Sequence, residues 1–74
     1  MTGHEWIDQF AATLGVDAPD ATTIEQLLDL AGVAAHASER LAAPIACYLV
    51  GRAGLDPAAA LAAAQTVHPP ATDA

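Results

Sequence analysis

The sequence predicts an all-α fold, a small bundle of three core helices with a short, alanine-rich fourth helix. Alanine, the strongest helix former, is the commonest residue, whereas β-branched and aromatic residues are sparse. Apolar residues in the first half recur at the spacing of amphipathic helices, and glycine, proline and aspartate separate four segments of helical length.

One small domain is the most that 74 residues can form, and its core has little surplus stability. Much of the 54% hydrophobic content is alanine, so large apolar side chains are few. We predict a single helical domain over residues 1–68, followed by a disordered tail over residues 69–74 that begins with two prolines.

The first helix is predicted from Thr2 to Leu14. Thr2 and, three residues later, Glu5 form a capping-box pattern at its start. Gly15 is at the position where a left-handed residue commonly ends a helix. One apolar stripe is formed by four side chains at helical spacing: Trp6, Ile7, Phe10 and Leu14.

The second helix is predicted at roughly 23–38, with Thr22 or Thr23 as its N-cap. Gly32 lies on the polar side of this helix, where it costs about 1 kcal/mol relative to alanine. Nothing in the sequence explains this glycine. The predicted core face consists of six apolar residues: Ile24, Leu27, Leu28, Ala31, Ala34 and Ala35.

The third helix is predicted from Ala43 to Ala53, after a corner at residues 39–43. Pro44 suits its first turn and Gly54 its end. Residues 45–50 are apolar in every direction around the axis, and such a helix is normally buried. We therefore expect the third helix to be the buried centre of the bundle, with Cys47 as a small core residue.

The fourth helix is predicted at roughly 57–67. Asp56 is a typical N-cap, and Pro57 suits the first helical position because its missing N–H is not needed there. Leu61 is the main large apolar residue of this segment, in which most other residues are alanine.

The charge of the chain argues against two classes of partner. The formal net charge is −7 at pH 7, and the chain contains two Lys or Arg residues, Arg40 and Arg52. Nucleic-acid binding and anionic-membrane binding both need clusters of basic residues, so we expect neither.

The sequence also favours one cellular compartment. We see neither a signal-peptide pattern nor an apolar segment long enough to span a membrane. A single cysteine cannot form an internal disulfide. We therefore expect a reduced, cytoplasmic protein.

No catalytic constellation is recognisable. His36, Ser38 and Glu39 are close in sequence on one helix, where neighbours one and two residues apart do not face each other. His36 and Glu39 alone are too few for a bundle metal site, which takes several carboxylates and histidines from facing helices. We therefore assign no catalytic, cofactor-binding or metal-binding residue, and we expect the protein not to be an enzyme.

The corner between the second and third helices is the predicted interaction site. Scarce residue types collect around it, and we assign five residues to it: His36, Glu39, Arg40, Pro44 and Arg52. We hypothesise that Glu39 pairs with Arg40 or Arg52 and stabilises the corner. The alternative is an ordinary exposed pair, which is worth about 0–1 kcal/mol.

The stretch LLDLAGVAAHASERLAAPIACYLVGRAG, with HEWIDQF upstream, carries a resemblance to a known family. The matching motifs span most of residues 4–54: Trp6-Ile7, Leu27-Leu28-Asp29-Leu30-Ala31, Ala35-His36, Glu39-Arg40, Ala42-Ala43-Pro44 and Leu49-Val50-Gly51. The chain resembles short actinobacterial helical domains of unknown function, which occur alone or joined C-terminally to a molybdenum-cofactor guanylyltransferase-like nucleotidyltransferase. The resemblance implies an association with molybdopterin cofactor metabolism and assigns no activity and no functional residue.

Three functional hypotheses follow. The leading one is a non-catalytic protein-interaction module that docks on an enzyme of molybdenum-cofactor biosynthesis. The alternative is an accessory protein that binds a small molecule, a pterin or a phosphate, at the corner of His36, Glu39 and Arg40. The two arginines, Arg40 and Arg52, would contact the phosphate of an anionic pterin. The third is a homodimer with an exposed stripe of Trp6 and Phe10 at its interface.

Overall fold

The computed structural model describes residues 1–67, in which all regular secondary structure is helical. Four helices follow one another along the chain: α1 (Gly3–Leu14), α2 (Ala21–Ala37), α3 (Ala42–Ala53) and α4 (Pro57–Ala64). The predicted all-α class, with a short alanine-rich fourth helix, is confirmed. The tail predicted at residues 69–74 lies outside the described residues.

Helix α1 begins and ends where the sequence predicts. The Thr2 Oγ1 accepts the backbone N–H of Glu5 at 3.1 Å, and the Thr2 N–H donates to Glu5 Oε1 at 2.7 Å, which completes the capping box. Gly15 ends the helix with a φ of 76°, a left-handed conformation that glycine adopts without steric cost. Both ends of α1 are therefore stabilised by local interactions.

Helix α2 begins two residues earlier than predicted because Asp20, and not a threonine, is its N-cap. The Asp20 Oδ1 accepts the backbone N–H of Thr23 at 2.8 Å. This bond, together with one from the Thr23 side chain, lowers the pKa of the Asp20 carboxyl below its ordinary value. At the other end, the Oγ of Ser38 donates to the Ala34 carbonyl oxygen at 2.8 Å.

Helix α3 follows a tight turn at the predicted corner. The backbone N–H groups of Ala42 and Ala43 donate to the carbonyl oxygens of Glu39 and Arg40 at 3.0 and 3.1 Å. No side chain caps the start of α3, and Gly54 ends it with a φ of 66°.

Helix α4 has the predicted start and an earlier end. The Asp56 Oδ2 accepts the backbone N–H of Ala59 at 3.4 Å, and Pro57 occupies the first turn, as predicted. The helix ends at Ala64 rather than at residue 67. The N–H groups of Thr66 and Val67 form turn hydrogen bonds instead.

Helix α2, and not α3, is the centre of the packing. Both α3 and α4 pack closely against α2, and the two most deeply buried residues within 1–67, Leu30 and Ala60, lie on α2 and α4. A third buried residue, Ala11, lies on α1. Because α3 contains no buried residue, the prediction that it forms the buried centre is wrong. The physical reason is that α3 packs closely against one helix, which leaves its other sides in solvent.

The packed face of α2 also differs from the predicted one. Leu28, which belongs to the predicted core face, is 65% exposed, whereas Leu30, which does not, is 2% exposed. At 100° per residue, two positions along a helix differ by about 200° in direction. The other five residues of the predicted face are half-buried: Ile24, Leu27, Ala31, Ala34 and Ala35. The error is therefore confined to the two leucines, Leu28 and Leu30, which lie on nearly opposite sides of the helix.

Helix α1 extends away from the other three helices. None of them packs closely along it within residues 1–67, and the molecule measures 48 × 23 × 19 Å. At 1.5 Å per residue, α1 and α2 are about 18 and about 26 Å long, so end to end they account for most of the long dimension.

Candidate functional site

The five residues of the predicted corner are all exposed, and they do not converge on one point. His36 lies in the last turn of α2, and Glu39 and Arg40 lie in the turn that follows. Pro44 lies in the first turn of α3, whereas Arg52 lies in its last turn, about 12 Å further along the axis. Four of the five residues thus surround the α2–α3 turn, and Arg52 is remote from it.

The predicted ion pair of Glu39 is not formed. No side-chain hydrogen bond within residues 1–67 involves Glu39, Arg40 or Arg52. The two arginines lie at opposite ends of α3, a helix about 18 Å long.

The side chains that could act as nucleophiles or metal ligands are either far apart or already hydrogen-bonded. Ser38, the one serine of the chain, uses its hydroxyl to cap α2, and Cys47 is half-buried in α3. In the part of the chain that the structure describes, no three His, Cys, Asp or Glu side chains gather as a metal ion would require.

The most prominent surface feature is an open apolar groove of about 780 Å³ between α2, α3 and α4, here called the groove. It exposes large aliphatic side chains, among them Leu49, which is 58% exposed. The residues that line it come from the three helices and the segments that follow them: Leu30, Val33, Ala34, Ala37, Ser38, Leu41, Ala42, Ile45, Ala46, Leu49, Val50, Ala53, Leu55, Ala60, Ala63, Ala64 and Val67.

The lining of the groove is apolar with one exception. Among residues 1–67, Ser38 is the single polar residue that lines it, and its hydroxyl already donates to the Ala34 carbonyl oxygen. A polar group placed in the groove would lose its water without gaining a charged or hydrogen-bonding side chain in return, which is unfavourable. The groove therefore suits apolar side chains and not a pterin or a phosphate.

Sequence reasoning missed the groove, although α3 carries its signal. Residues 45–50 are apolar on all sides of α3, so the sequence does not show which of these sides forms a surface site. The α3 residues that line the groove follow the spacing of one helix face: Ala42, Ile45, Ala46, Leu49, Val50 and Ala53. The groove residues on α2 and α4 are mostly alanines. Because alanine occurs on every side of these helices, its positions do not show which side lines the groove.

A second apolar surface, here called the α1 stripe, consists of Trp6, Ile7, Phe10 and Leu14. The rings of Trp6 and Phe10 pack on each other, and both side chains remain about half exposed. Leu14 is exposed as well. Ile7 is half-buried. Because no other helix packs closely along α1 within residues 1–67, the other three side chains of the stripe face solvent.

A shallower depression lies between α2 and α4 on another side of α2, and it contains His36 and Gly32. A Cβ atom on Gly32 would meet no atom within 4 Å. The glycine is therefore not required by a close approach within the described residues. Nothing in the structure explains its presence in the middle of α2.

Within residues 1–67, these features define a small domain of four helices with an open apolar groove and an exposed apolar helix face. None of the helices within residues 1–67 has the length and apolar character of a membrane span. The chain belongs to the family described as a domain of unknown function (DUF6457), which matches residues 1–73. Searches among curated proteins and solved structures find no significant match.

Proposed function

We propose that this domain is a non-catalytic interaction module whose groove binds the apolar face of a helix in a partner protein. The observation that carries the proposal is the groove itself, with about 780 Å³ of open space between α2, α3 and α4. Extensive exposed apolar surface is uncommon on monomeric proteins and marks sites of interaction.

A helix suits the groove better than an extended strand. An amphipathic helix inserts apolar side chains at i, i+3, i+4 and i+7 into a hydrophobic groove, whereas a strand binds by pairing its backbone with a sheet edge. The walls of the groove are helices, whose backbone groups are already paired within each helix. Ile45 and Leu49, one turn apart on α3, offer the ridge on which such side chains would pack.

An enzyme of molybdenum-cofactor biosynthesis is the partner that the family resemblance supports. Similar actinobacterial domains are joined to a guanylyltransferase-like nucleotidyltransferase, and a covalent connection keeps the two proteins together. The corresponding role of a separate chain is to dock on that enzyme in the cytoplasm. The exposed corner at Glu39 and Arg40, next to Leu41 in the groove lining, supplies a polar rim for such a contact.

Two neighbouring residues of α3 provide the test and its control. Leu49 lines the groove, whereas Tyr48, 60% exposed, lies outside it. Leu49→Glu is expected to weaken binding to the purified nucleotidyltransferase roughly thirtyfold or more, as for a central interface residue, because it places a charge in an apolar site. Tyr48→Glu is expected to leave the Kd, measured by isothermal titration calorimetry, unchanged. Equal affinities of both variants and the wild type would exclude the groove as the docking site.

The pterin hypothesis has its own test. Titration with a pterin phosphate, followed by NMR, is expected to leave the amide signals of residues 36–44 and 52 in place, because the corner residues are exposed and Arg52 lies at the far end of α3. Saturable shifts confined to those residues would favour the small-molecule role over the docking role.

A further inference from the structure

We infer that the groove is filled by α1 of a second copy of this chain, in a reciprocal exchange that makes the domain a homodimer. The inference goes beyond the proposed function: it concerns the same groove, in which α1 of a second copy would compete with the helix of the partner enzyme. It pairs two apolar surfaces that no other helix covers within residues 1–67, the concave groove and the convex α1 stripe.

The stripe and the groove match in length and in side-chain size. Helix α1 has 12 residues, and the α3 wall of the groove extends over the 12 residues from Ala42 to Ala53, so both are about 18 Å long. The stripe presents the two large rings of Trp6 and Phe10, whereas alanines such as Ala46 and Ala60 line the groove. Large side chains facing small ones allow two helices to interdigitate closely.

Charge favours the same occupant. Helix α1 contains Glu5 and Asp8 and neither lysine nor arginine. Arg40 and Arg52 each precede a residue that lines the groove, so the positive charge of the chain flanks it. The acidic helix of one copy would therefore lie beside the guanidinium groups of the other, an arrangement that favours encounter and orientation.

The α1 helix of the same chain is a poor fit, because the loop of residues 15–20 restrains it. If α1 folded back along α2 as in a helical hairpin, Leu14 would lie beside Ala21. Trp6 would then lie about 12 Å further along, level with residue 29. On α2 the groove lining extends from Leu30 to Ala37. The rings of Trp6 and Phe10 would therefore lie beside the part of α2 that precedes the groove.

A second copy has no such restraint. Its α1 already extends away from its own α2, α3 and α4, as an exchanged element must. A two-fold arrangement then fills both grooves with the same contact, and exchange of an identical element is a low-cost route to a dimer. The sequence HPPATDA, residues 68–74, contains no large apolar side chain that could serve as a competing anchor.

The first measurement is sedimentation velocity of the full chain, combined with tryptophan fluorescence. Trp6 is the single tryptophan, so the emission reports on α1 alone. The wild type is expected to sediment as a dimer, and its emission is expected to shift to longer wavelength on dilution. If the wild type sediments as a monomer at all concentrations, the inference is overturned, whatever the emission wavelength of Trp6.

Four substitutions to glutamate locate the contact. Phe10→Glu disrupts the stripe and Leu49→Glu the groove, and each is expected to weaken the dimer roughly thirtyfold or more. Ala12→Glu, on the opposite face of α1, and Tyr48→Glu, outside the groove, add the same charge and are expected to leave the dimer intact. Dimers that persist in the first two variants would place the interface elsewhere. If Leu49→Glu lacks the helical circular dichroism of the wild type, Leu49→Gln replaces it.

Mixing the two monomeric variants is decisive. The Phe10→Glu chain keeps an intact groove, and the Leu49→Glu chain keeps an intact α1 stripe, so one complementary contact survives between them. We expect a heterodimer that is weaker than the wild-type dimer and absent from either variant alone. Absence of this heterodimer would overturn the exchange.

Enzyme binding separates this inference from the proposed function. If α1 occupies the groove, Phe10→Glu vacates it, and the variant is expected to bind the nucleotidyltransferase more tightly than the wild type. If the chain is monomeric and Leu49→Glu still loses the enzyme, the exchange is wrong and the docking function stands. If Leu49→Glu alters neither the dimerisation nor the binding to the nucleotidyltransferase, both the exchange and the docking function are wrong.

Discussion

The indole ring of Trp6 and the phenyl ring of Phe10 lie 4.9 Å apart between their centroids, at an interplanar angle of 33°. An aromatic pair of this kind contributes about 0.5–1.5 kcal/mol beyond its buried area. Yet the two side chains are 55% and 47% exposed, and neither belongs to the packed unit of α2, α3 and α4. The pair therefore stabilises α1 locally while leaving an apolar surface for a partner.

The first prediction concerns the independence of α1. A helix of 12 residues without tertiary support is marginal in water, so its amide protons should exchange faster than those of α2 in the monomeric Phe10→Glu chain. Thr2→Ala removes the acceptor of the Glu5 N–H, which is worth about 1 kcal/mol, and should speed exchange in α1 about fivefold. Hydrogen exchange by NMR measures both effects. Equal protection of α1 and α2 would contradict the prediction.

The second prediction compares two leucines of α2. Leu30→Ala removes an almost fully buried side chain and should lower the free energy of unfolding by about 2–5 kcal/mol. Leu28→Ala deletes the same atoms from an exposed position and should change it by about 0.5 kcal/mol or less. Urea denaturation of both variants measures the difference. Similar losses would show that α2 packs through the face that contains Leu28.

The third prediction assigns opposite signs to two glycine substitutions. Gly32→Ala places a methyl group in open space within α2 and should stabilise the domain by about 1 kcal/mol, which raises the Tm by about 4–8 °C. Gly54→Ala forces a Cβ atom into a left-handed conformation, φ 66°, and should destabilise it by about 1–2 kcal/mol. Thermal denaturation followed by circular dichroism decides. A lower Tm for Gly32→Ala would mean that α2 approaches another backbone closely at this position.

The fourth prediction is a pH dependence that arises at the start of α2. The hydrogen bond from the Thr23 N–H lowers the native pKa of Asp20 below its ordinary value of 3.8, so folding favours the carboxylate form. The resulting stability is fully present above that ordinary value and is lost as the pH falls through the lower native pKa. The stability difference between the wild type and Asp20→Asn should therefore shrink between pH 6 and pH 2, as measured by urea denaturation at each pH.

Asp17→Asn is the matched control for this titration. Asp17 lies in the same loop, and its side chain takes part in no side-chain hydrogen bond within residues 1–67. This substitution therefore removes one loop carboxyl without removing the N-cap acceptor. A stability difference for Asp20→Asn that stays constant between pH 6 and pH 2 would show that its carboxylate does not stabilise the N-cap.

Local sequence patterns predicted the start of a helix correctly where a single residue could serve as its N-cap. Thr2 with Glu5 and Asp56 with Pro57 define the starts of α1 and α4, because each pattern satisfies backbone N–H groups within a single turn. The start of α2 was misplaced because Asp20, Thr22 and Thr23 are all competent caps. The backbone conformation of the loop selects Asp20, whose φ and ψ of −76° and 174° are extended.

The candidate site was less predictable than the helices. Scarce residue types predicted a site at the corner of His36, Glu39 and Arg40. These residues are exposed, and none of them forms a side-chain hydrogen bond within residues 1–67. The groove consists of common residues, such as Leu49 and Ala46, that become a site only when three helices meet. Scarce residue types in a sequence can indicate a catalytic or ligand-binding site. An apolar docking surface, in contrast, consists of abundant residue types and does not stand out in the sequence.

The sequence by itself determined that this chain is all-helical, acidic and divided by Gly15 and Gly54, because helix propensity, capping and left-handed glycines act within a few residues. Only the tertiary structure decided that α2 is the packing centre, that Leu30 rather than Leu28 is buried, and that α1 lies apart. The physical reason is that burial depends on which faces meet. In helices so rich in alanine, several faces are equally apolar, and close packing between whole helices selects among them.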